Sequence, residues 1–312
     1  MKRRTFVAGV TATGMSLVSG AAGLAQEHAG TATPVGGETM TQTGVQTGYA
    51  PVNGLQMYYE IHGAGGVPLL VIHHGAFGNT GLFGGELVPA LAETRQVIVM
   101  DQQAHGRTAD IDRPLSVAQM ADDTVALIEH LGLEQVDVFG YSMGGGITFR
   151  LAVARPELVR KLVIAGVYTS GAGAYPGVVA GMESLSPEVF AGSPLEASYL
   201  AVAPNPDNWP VLIEKIKALG TDAEAYSLTP DKVRGIAAPV LYIIGDSDIV
   251  LPEHAVEVFR LLGGGVPGDL TGLPTSQLAI LPGTTHVGVI FQTDLLLGMI
   301  VPFLDAPMPE TQ

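Results

Sequence analysis

The 312-residue chain contains no cysteine. That excludes disulfides, thiolate metal sites, a cysteine nucleophile and a lipid-modified N-terminal cysteine. Charge is scarce: charged residues are 14%, against the usual quarter. What charge there is leans one way, to a formal −15. Such a balance argues against nucleic acid and against anionic membrane surfaces as partners. No apolar run after the N-terminus is long enough to cross a membrane. No internal repeat is visible, and no phosphate-cradling loop of the G-x-G-x-x-G or Walker kind is present. No metal site stands out. His73 and His74 are adjacent in an extended run, which points them to opposite faces. What is abundant is apolar: hydrophobic residues are 47%, ample for the core of one large α/β domain or two small ones.

Residues 1–25 read as a signal peptide. Lys2, Arg3 and Arg4 form a basic start, Phe6 to Ala22 is mildly apolar, and Gly23-Leu24-Ala25 offers small residues for cleavage. Gly9, Gly14 and Gly20 interrupt the apolar segment, so it does not read as a permanent span. Arg3-Arg4-Thr5-Phe6 resembles a twin-arginine signal, which implies export to the periplasm or beyond. Met40 supplies an alternative start that would leave the protein in the cytoplasm. Residues 26–48, rich in Thr and Gly without apolar periodicity, read as a flexible linker. Residues 49–306 read as the folded domain, with a short tail at 307–312.

Within that domain, Tyr49 to Ile61 predicts a hairpin around Asn53-Gly54. Buried strands are predicted at 68–75, 96–101, 136–139, 161–166, 240–245 and 277–282, and helices at 82–93 and 117–131. Strands alternating with helices specify an α/β fold, a mainly parallel sheet covered on both faces. The interval from Tyr168 to Ala237 breaks the alternation. It shows no convincing strand and is too long for a plain loop, so it reads as a helical cap.

The chain is organised around Gly140-Tyr141-Ser142-Met143-Gly144, set between an apolar strand and a helical run. A serine on so sharp a turn needs tiny residues two before and two after it, and Gly140 and Gly144 meet that need. With its G-x-S-x-G elbow, this stretch resembles the α/β-hydrolase fold family, in its serine hydrolase and esterase branch with a helical cap. Asp101-Gln-Gln-Ala-His-Gly-Arg-Thr108 resembles the family's D-x-x-G-H-G-x-S loop, with Ala104 where Gly is usual. We give that loop a structural role.

Ser142 needs a base, because a free hydroxyl is a poor nucleophile near neutral pH. Among eight histidines, His286 stands just past the final strand, last in the chain. The base needs an orienting carboxylate. Gly245-Asp246-Ser247-Asp248 offers two, and resemblance to the family's G-D-x-D pattern selects Asp248, leaving Asp246 to hold the turn. The order Ser, Asp, His is that of the family. Resemblance also implies an oxyanion hole from the backbone N–H groups of Met143 and Ala76, with Phe77 as the alternative to Ala76.

The resemblance spans about Tyr49 to Leu304 and implies a cofactor-independent, metal-free serine hydrolase. Serine at the elbow sets the chain apart from epoxide hydrolases and haloalkane dehalogenases, which use aspartate there. The leading expectation is hydrolysis of a carboxylic ester or lactone, in class EC 3.1.1. Alternatives on the same triad are C–C bond or amide hydrolysis and a cofactor-free perhydrolase of the haloperoxidase kind. An alternative of another class is a non-catalytic binding member. The cap carries Tyr168, Tyr175, Met182, Phe190, Tyr199, Trp209 and Tyr226, and its few cations stand near its end, so the expected substrate is a neutral, largely apolar small molecule.

Overall fold

The computed structural model describes residues 39–40, 44–72, 76–81, 85–222 and 224–309. Gly36–Gln312 pack as one unit, and the other, Met1–Val35, lies outside the described residues, as does the signal-peptide reading.

Local sequence sets the first elements. Asn53 and Gly54 both adopt positive φ, 47° and 87°, as a two-residue hairpin turn between twisted strands requires. They join β2 (Gln46–Val52) to β3 (Leu55–His62), and a two-residue strand, β1 (Thr39–Met40), pairs with β2. The Asn53 amide donates to Asp123 at 2.9 Å, pinning the hairpin tip to the body. These strands correct the expected boundary at Tyr49. Thr47 and Gly48 pair with Glu60 and Tyr59, so the linker reading fails at 39–40 and from 46 onward.

Unbroken apolar runs then form β4 (Leu69–Ile72) and β5 (Val97–Met100), and apolar runs interrupted by Asp137 and by Arg160-Lys161 form β6 (Val136–Tyr141) and β7 (Val159–Ala165). β8 (Val240–Ser247) and β9 (Gln277–Thr285) complete a nine-stranded sheet ordered β1-β2-β3-β5-β4-β6-β7-β8-β9. From β5 to β9 every pairing is parallel. Such strands are covered on both faces, which is why they read as near-continuous hydrophobic runs. Alternate residues divide between two cores. Leu70, Ile72, Val138, Leu162 and Ile164 pack on one side, and Leu69, Val71, Phe139, Val163 and Leu241 on the other.

Helices fill both faces. α1 (Leu87–Ala92) is shorter than the expected 82–93, since 85–86 form a turn and 82–84 lie outside the described residues. α2 (Val117–His130) starts where Ser116 accepts from the Gln119 amide, and α3 (Met143–Ala154) follows the elbow. Between β7 and β8, among the described residues, the chain is helical without strands. It comprises α4 (Gly177–Glu183), α5 (Pro194–Val202), α6 (Trp209–Thr221) and α7 (Pro230–Arg234). α8 (Pro252–Leu261), α9 (Gly268–Thr271) and α10 (Thr293–Asp305) close the chain. Among the described residues no helix is long and apolar enough to cross a membrane.

One position in the loop after β5 is strained. Ala104 is buried at φ 65°, where a Cβ is unfavourable by roughly 1–2 kcal/mol. Ala104→Gly removes that strain and adds about 0.4–1 kcal/mol of unfolded-state entropy. The expected result is a melting temperature equal to or a degree or two above wild type. The same change at Ala121 or Ala152, inside α2 and α3, should cost about 1 kcal/mol. Thermal melts of the three variants check this.

Candidate active site

The elbow is built by close approach. Ser142 sits at φ 53°, ψ −118°, a conformation rare for any residue with a side chain. A Cβ on Gly144 would fall on the carbonyl of Ile72, at the end of β4, and one on Gly140 would fall on Thr148 and the Gly144 carbonyl. Only glycine lets β6 turn into α3 so tightly. The Ser142 amide is spent on the Ala165 carbonyl of β7, at 2.8 Å. Its hydroxyl is left at the N-terminus of α3, where first-turn amides have no partner within the helix.

Two loops from the carboxyl ends of neighbouring strands meet it there. His286, just past β9, places Nε2 2.9 Å from Ser142 Oγ and Nδ1 2.6 Å from Asp248 Oδ1. Asp248, just past β8, is fully buried in its side chain and also accepts from the Ile249 amide at 2.7 Å and the Gly245 amide at 3.2 Å. Both its oxygens therefore face donors. Asp246 points elsewhere. It accepts from the amides of Gly283 and Thr284 at 2.8 and 3.1 Å, and these bonds hold its carboxyl below the usual range. The structure thus brings Ser142, His286 and Asp248 together and gives Asp246 to a link between the ends of β8 and β9.

Tyr141 supports the imidazole in a way no motif indicated. Its ring stacks on His286 at 5.3 Å between centroids, and its hydroxyl donates to the His286 carbonyl at 2.9 Å. Burial pushes that phenol well above its ordinary value, so it stays a donor. Gly166, on the other side, leaves room for the ring: a Cβ there would stand 3.1 Å from His286.

Ala76, Phe77 and Met143 all line the cavity that holds Ser142. Met143 is the first residue of α3, so its amide belongs to the free first turn. Ala76 lies in the turn after β4, whose preceding residues 73–75 lie outside the described residues. Three contacts fix this turn. His105, which carries 0% exposure, places Nε2 3.0 Å from the Ala76 carbonyl. Asp101 accepts from the Thr80 amide at 2.7 Å and the Arg107 amide at 2.8 Å, and burial pushes its carboxyl up to about 6. Asn79 donates to Ser198 of α5 at 2.7 Å. The D-x-x-A-H-G loop thus acts as a brace for the turn carrying Ala76 and Phe77.

The cavity measures about 240 Å³. Its remaining wall is apolar and comes mostly from the cap: Val178, Met182, Leu195 and Tyr226, with Tyr168 and Ile249. Among the described residues no lysine, arginine, aspartate or glutamate lines it. Other cap aromatics pack instead. Phe190 and Trp209 sit 4.6 and 5.9 Å from Phe77, and Tyr199 sits 5.1 Å from Trp209. The cap is also tied down by Lys215 of α6, which donates to Asp110 at 2.7 Å and to the Arg113 carbonyl at 2.9 Å.

Residues 68–176 match a family model described as alpha/beta hydrolase fold. That stretch includes Ser142 and ends before Asp248 and His286. A putative carbamate hydrolase, RutD, of Azorhizobium caulinodans is 39% identical over 116 residues, 37% of this chain and 43% of that protein. A 2-hydroxymuconate semialdehyde hydrolase of Pseudomonas sp. strain CF600 is 39% identical over 112 residues, 34% of this chain and 39% of that protein. The chain therefore matches less than half the length of these curated relatives. A meta-cleavage product hydrolase from Pseudomonas fluorescens IP01 superposes with a TM-score of 0.66 at 19% identity, covering 81% of this chain and 96% of that one.

Proposed function

Because this chain belongs by fold to the α/β-hydrolase family, we propose that it is a cofactor-independent serine hydrolase acting on a neutral, largely apolar carboxylic ester or lactone. One observation carries the reading: the run Ser142 Oγ, His286 Nε2, His286 Nδ1, Asp248 Oδ1, with separations of 2.9 and 2.6 Å, on a strained elbow opening into a cavity. In this reading His286 takes the Ser142 proton as Oγ attacks the carbonyl carbon. The Met143 amide, with that of Ala76 or Phe77, stabilises the developing oxyanion. His286 then hands its proton to the leaving oxygen, an acyl group stays on Ser142, and water activated by the same imidazole releases it.

The uncharged wall favours the ester and lactone reading over the C–C bond reading suggested by the semialdehyde hydrolase. A substrate bearing a carboxylate would enter this cavity without a cation to meet it, and burying an unpaired charge is costly. The test is a panel of neutral esters, lactones and amides, read beside acids of matched size. Faster turnover of the charged acids would overturn the ester reading.

We propose further that the protein is exported by the twin-arginine route, on the strength of Arg3-Arg4-Thr5-Phe6 and the weak apolar segment behind it. A fusion of residues 1–40 to a reporter that requires this route should be exported, and replacing Arg3 and Arg4 by Lys should stop it. Export that survives the change would assign the general secretory route, and no export would favour the Met40 start.

A further inference from the structure

The cavity is apolar except at one place beyond the reacting atoms. Tyr168 and Tyr226 both line it and meet edge to face, with ring centroids 5.7 Å apart. Neither hydroxyl has a hydrogen-bond partner among the described residues, although other tyrosines in the body do, such as Tyr141 and Tyr58. Burial pushes both phenols above their ordinary value, so both are neutral O–H groups at any working pH. Both residues are half-buried, and a hydroxyl on a cavity wall with no partner among the described residues can bond a ligand there.

The pair is held in place from behind. Arg150 of α3 donates to the carbonyl of Ser227 at 2.9 Å, and the Leu228 amide donates to the Thr169 carbonyl at 2.8 Å. The first ties the Tyr226 segment to α3, and the second joins it to the segment that carries Tyr168. Gly146 gives Tyr226 its seat: a Cβ there would stand 2.7 Å from the ring, closer than real Cβ atoms come. Gly146 is one helical turn beyond Ser142, its amide donating to the Ser142 carbonyl at 3.1 Å.

The geometry points to a polar subsite: Tyr226, with Tyr168, reads a neutral hydrogen-bonding group, a ketone, hydroxyl or amide, carried by the substrate beyond its reacting carbonyl. This rests on the hydrolase reading and deepens it. The substrate class is then a compact ester or lactone that is apolar along its length and polar at its far end. A site that hydrogen-bonds a substrate group discriminates against the analogue lacking it far better than an apolar wall discriminates by size.

The test uses p-nitrophenyl hexanoate beside its analogues with a ketone at the fourth or fifth carbon, on wild type, Tyr226→Phe, Tyr168→Phe and Ser142→Ala. Both Phe variants keep the ring that packs the cavity. Wild type should prefer one keto ester over the plain ester in kcat/KM by tenfold or more. Tyr226→Phe should lose most of that preference, its kcat/KM falling at least fivefold further on the keto ester than on the plain ester. Equal effects of Tyr226→Phe on plain and keto esters, or no keto preference in wild type, would overturn the subsite and leave the hydrolase reading standing. Absence of Ser142-dependent turnover of every ester would overturn the hydrolase reading and the subsite with it.

Discussion

Ser142→Ala is expected to reduce turnover by roughly 10³-fold or more and to abolish labelling by a fluorophosphonate probe, with the fold unchanged. The hydroxyl is the atom 2.9 Å from His286 Nε2, and nothing else in the elbow depends on it. It makes no capping bond to α3, and the backbone bond from the residue 142 amide to Ala165 is independent of the side chain. Alanine meets the same strain at φ 53° as serine, so the melting temperature should stay within experimental error of wild type. Labelling that persists in the variant, or that maps to another serine, would remove Ser142 from the nucleophile's role. Lost labelling with a collapsed melt would leave the assignment unsupported, and Ser142→Cys, labelled by a thiol-reactive ester, would then decide it.

The elbow was legible because its cause is local. Two glycines flank a serine, the strand before is apolar apart from Asp137, and a turn so sharp demands small residues whatever the rest of the chain does. The hairpin was legible for the same reason, since Asn53-Gly54 states its own turn. Where the fold was misjudged, the missing term was tertiary. Gln46-Thr47-Gly48 carries no apolar alternation. It is a strand because β3 offers it a ladder and the Tyr59 ring covers Gly48. α4 was overlooked because Gly177-Val-Val-Ala-Gly-Met-Glu183 has two glycines and no buried residue to mark a face. Its visible signal is its place over the cavity, through Val178 and Met182.

The site divides along the same line. His286 and Asp248 could be placed by their position after particular strands, because strand order fixes which loops converge. The division of labour between Asp246 and Asp248 followed from the family pattern. The hydrogen bonds then supply its physical reason, one carboxylate turned in to an imidazole and the other to two amides of β9. Tyr141 behind His286 had no signal of its own in the sequence, and the motif around His105 marked a structural loop without naming Ala76 as its partner. Each acts across more than twenty-five residues of chain, through a contact that exists only once the sheet has closed. Likewise the split of cap aromatics between wall and packing depends on which rings face Phe77, and spacing alone does not encode that.

Asp248→Asn is expected to lower kcat by roughly 10⁴-fold, the size of the corresponding change in serine proteases, without unfolding the protein. The argument runs through hydrogen positions. Asp248 Oδ1 accepts from both His286 Nδ1 and the Ile249 amide, and Oδ2 accepts from the Gly245 amide. An asparagine must put an NH₂ group at one of these places. If its oxygen keeps the Oδ1 position, the NH₂ opposes the Gly245 N–H, and the imidazolium formed in catalysis loses its negative partner. If it turns over, the NH₂ opposes the Ile249 N–H and donates to Nδ1 of His286. That drives the proton to Nε2, and a ring protonated at Nε2 cannot take one from Ser142. Both orientations leave a defect in the base and neither touches the core. Asp246→Asn should do the reverse, weakening the link from the Gly283 and Thr284 amides of β9 to β8 and lowering the melting temperature, with kcat/KM close to wild type. Steady-state kinetics and thermal melts on the pair decide the matter. If Asp246→Asn is the slower enzyme, the carboxylate that orients His286 has been misassigned, and if both are fast, the imidazole needs no carboxylate at all.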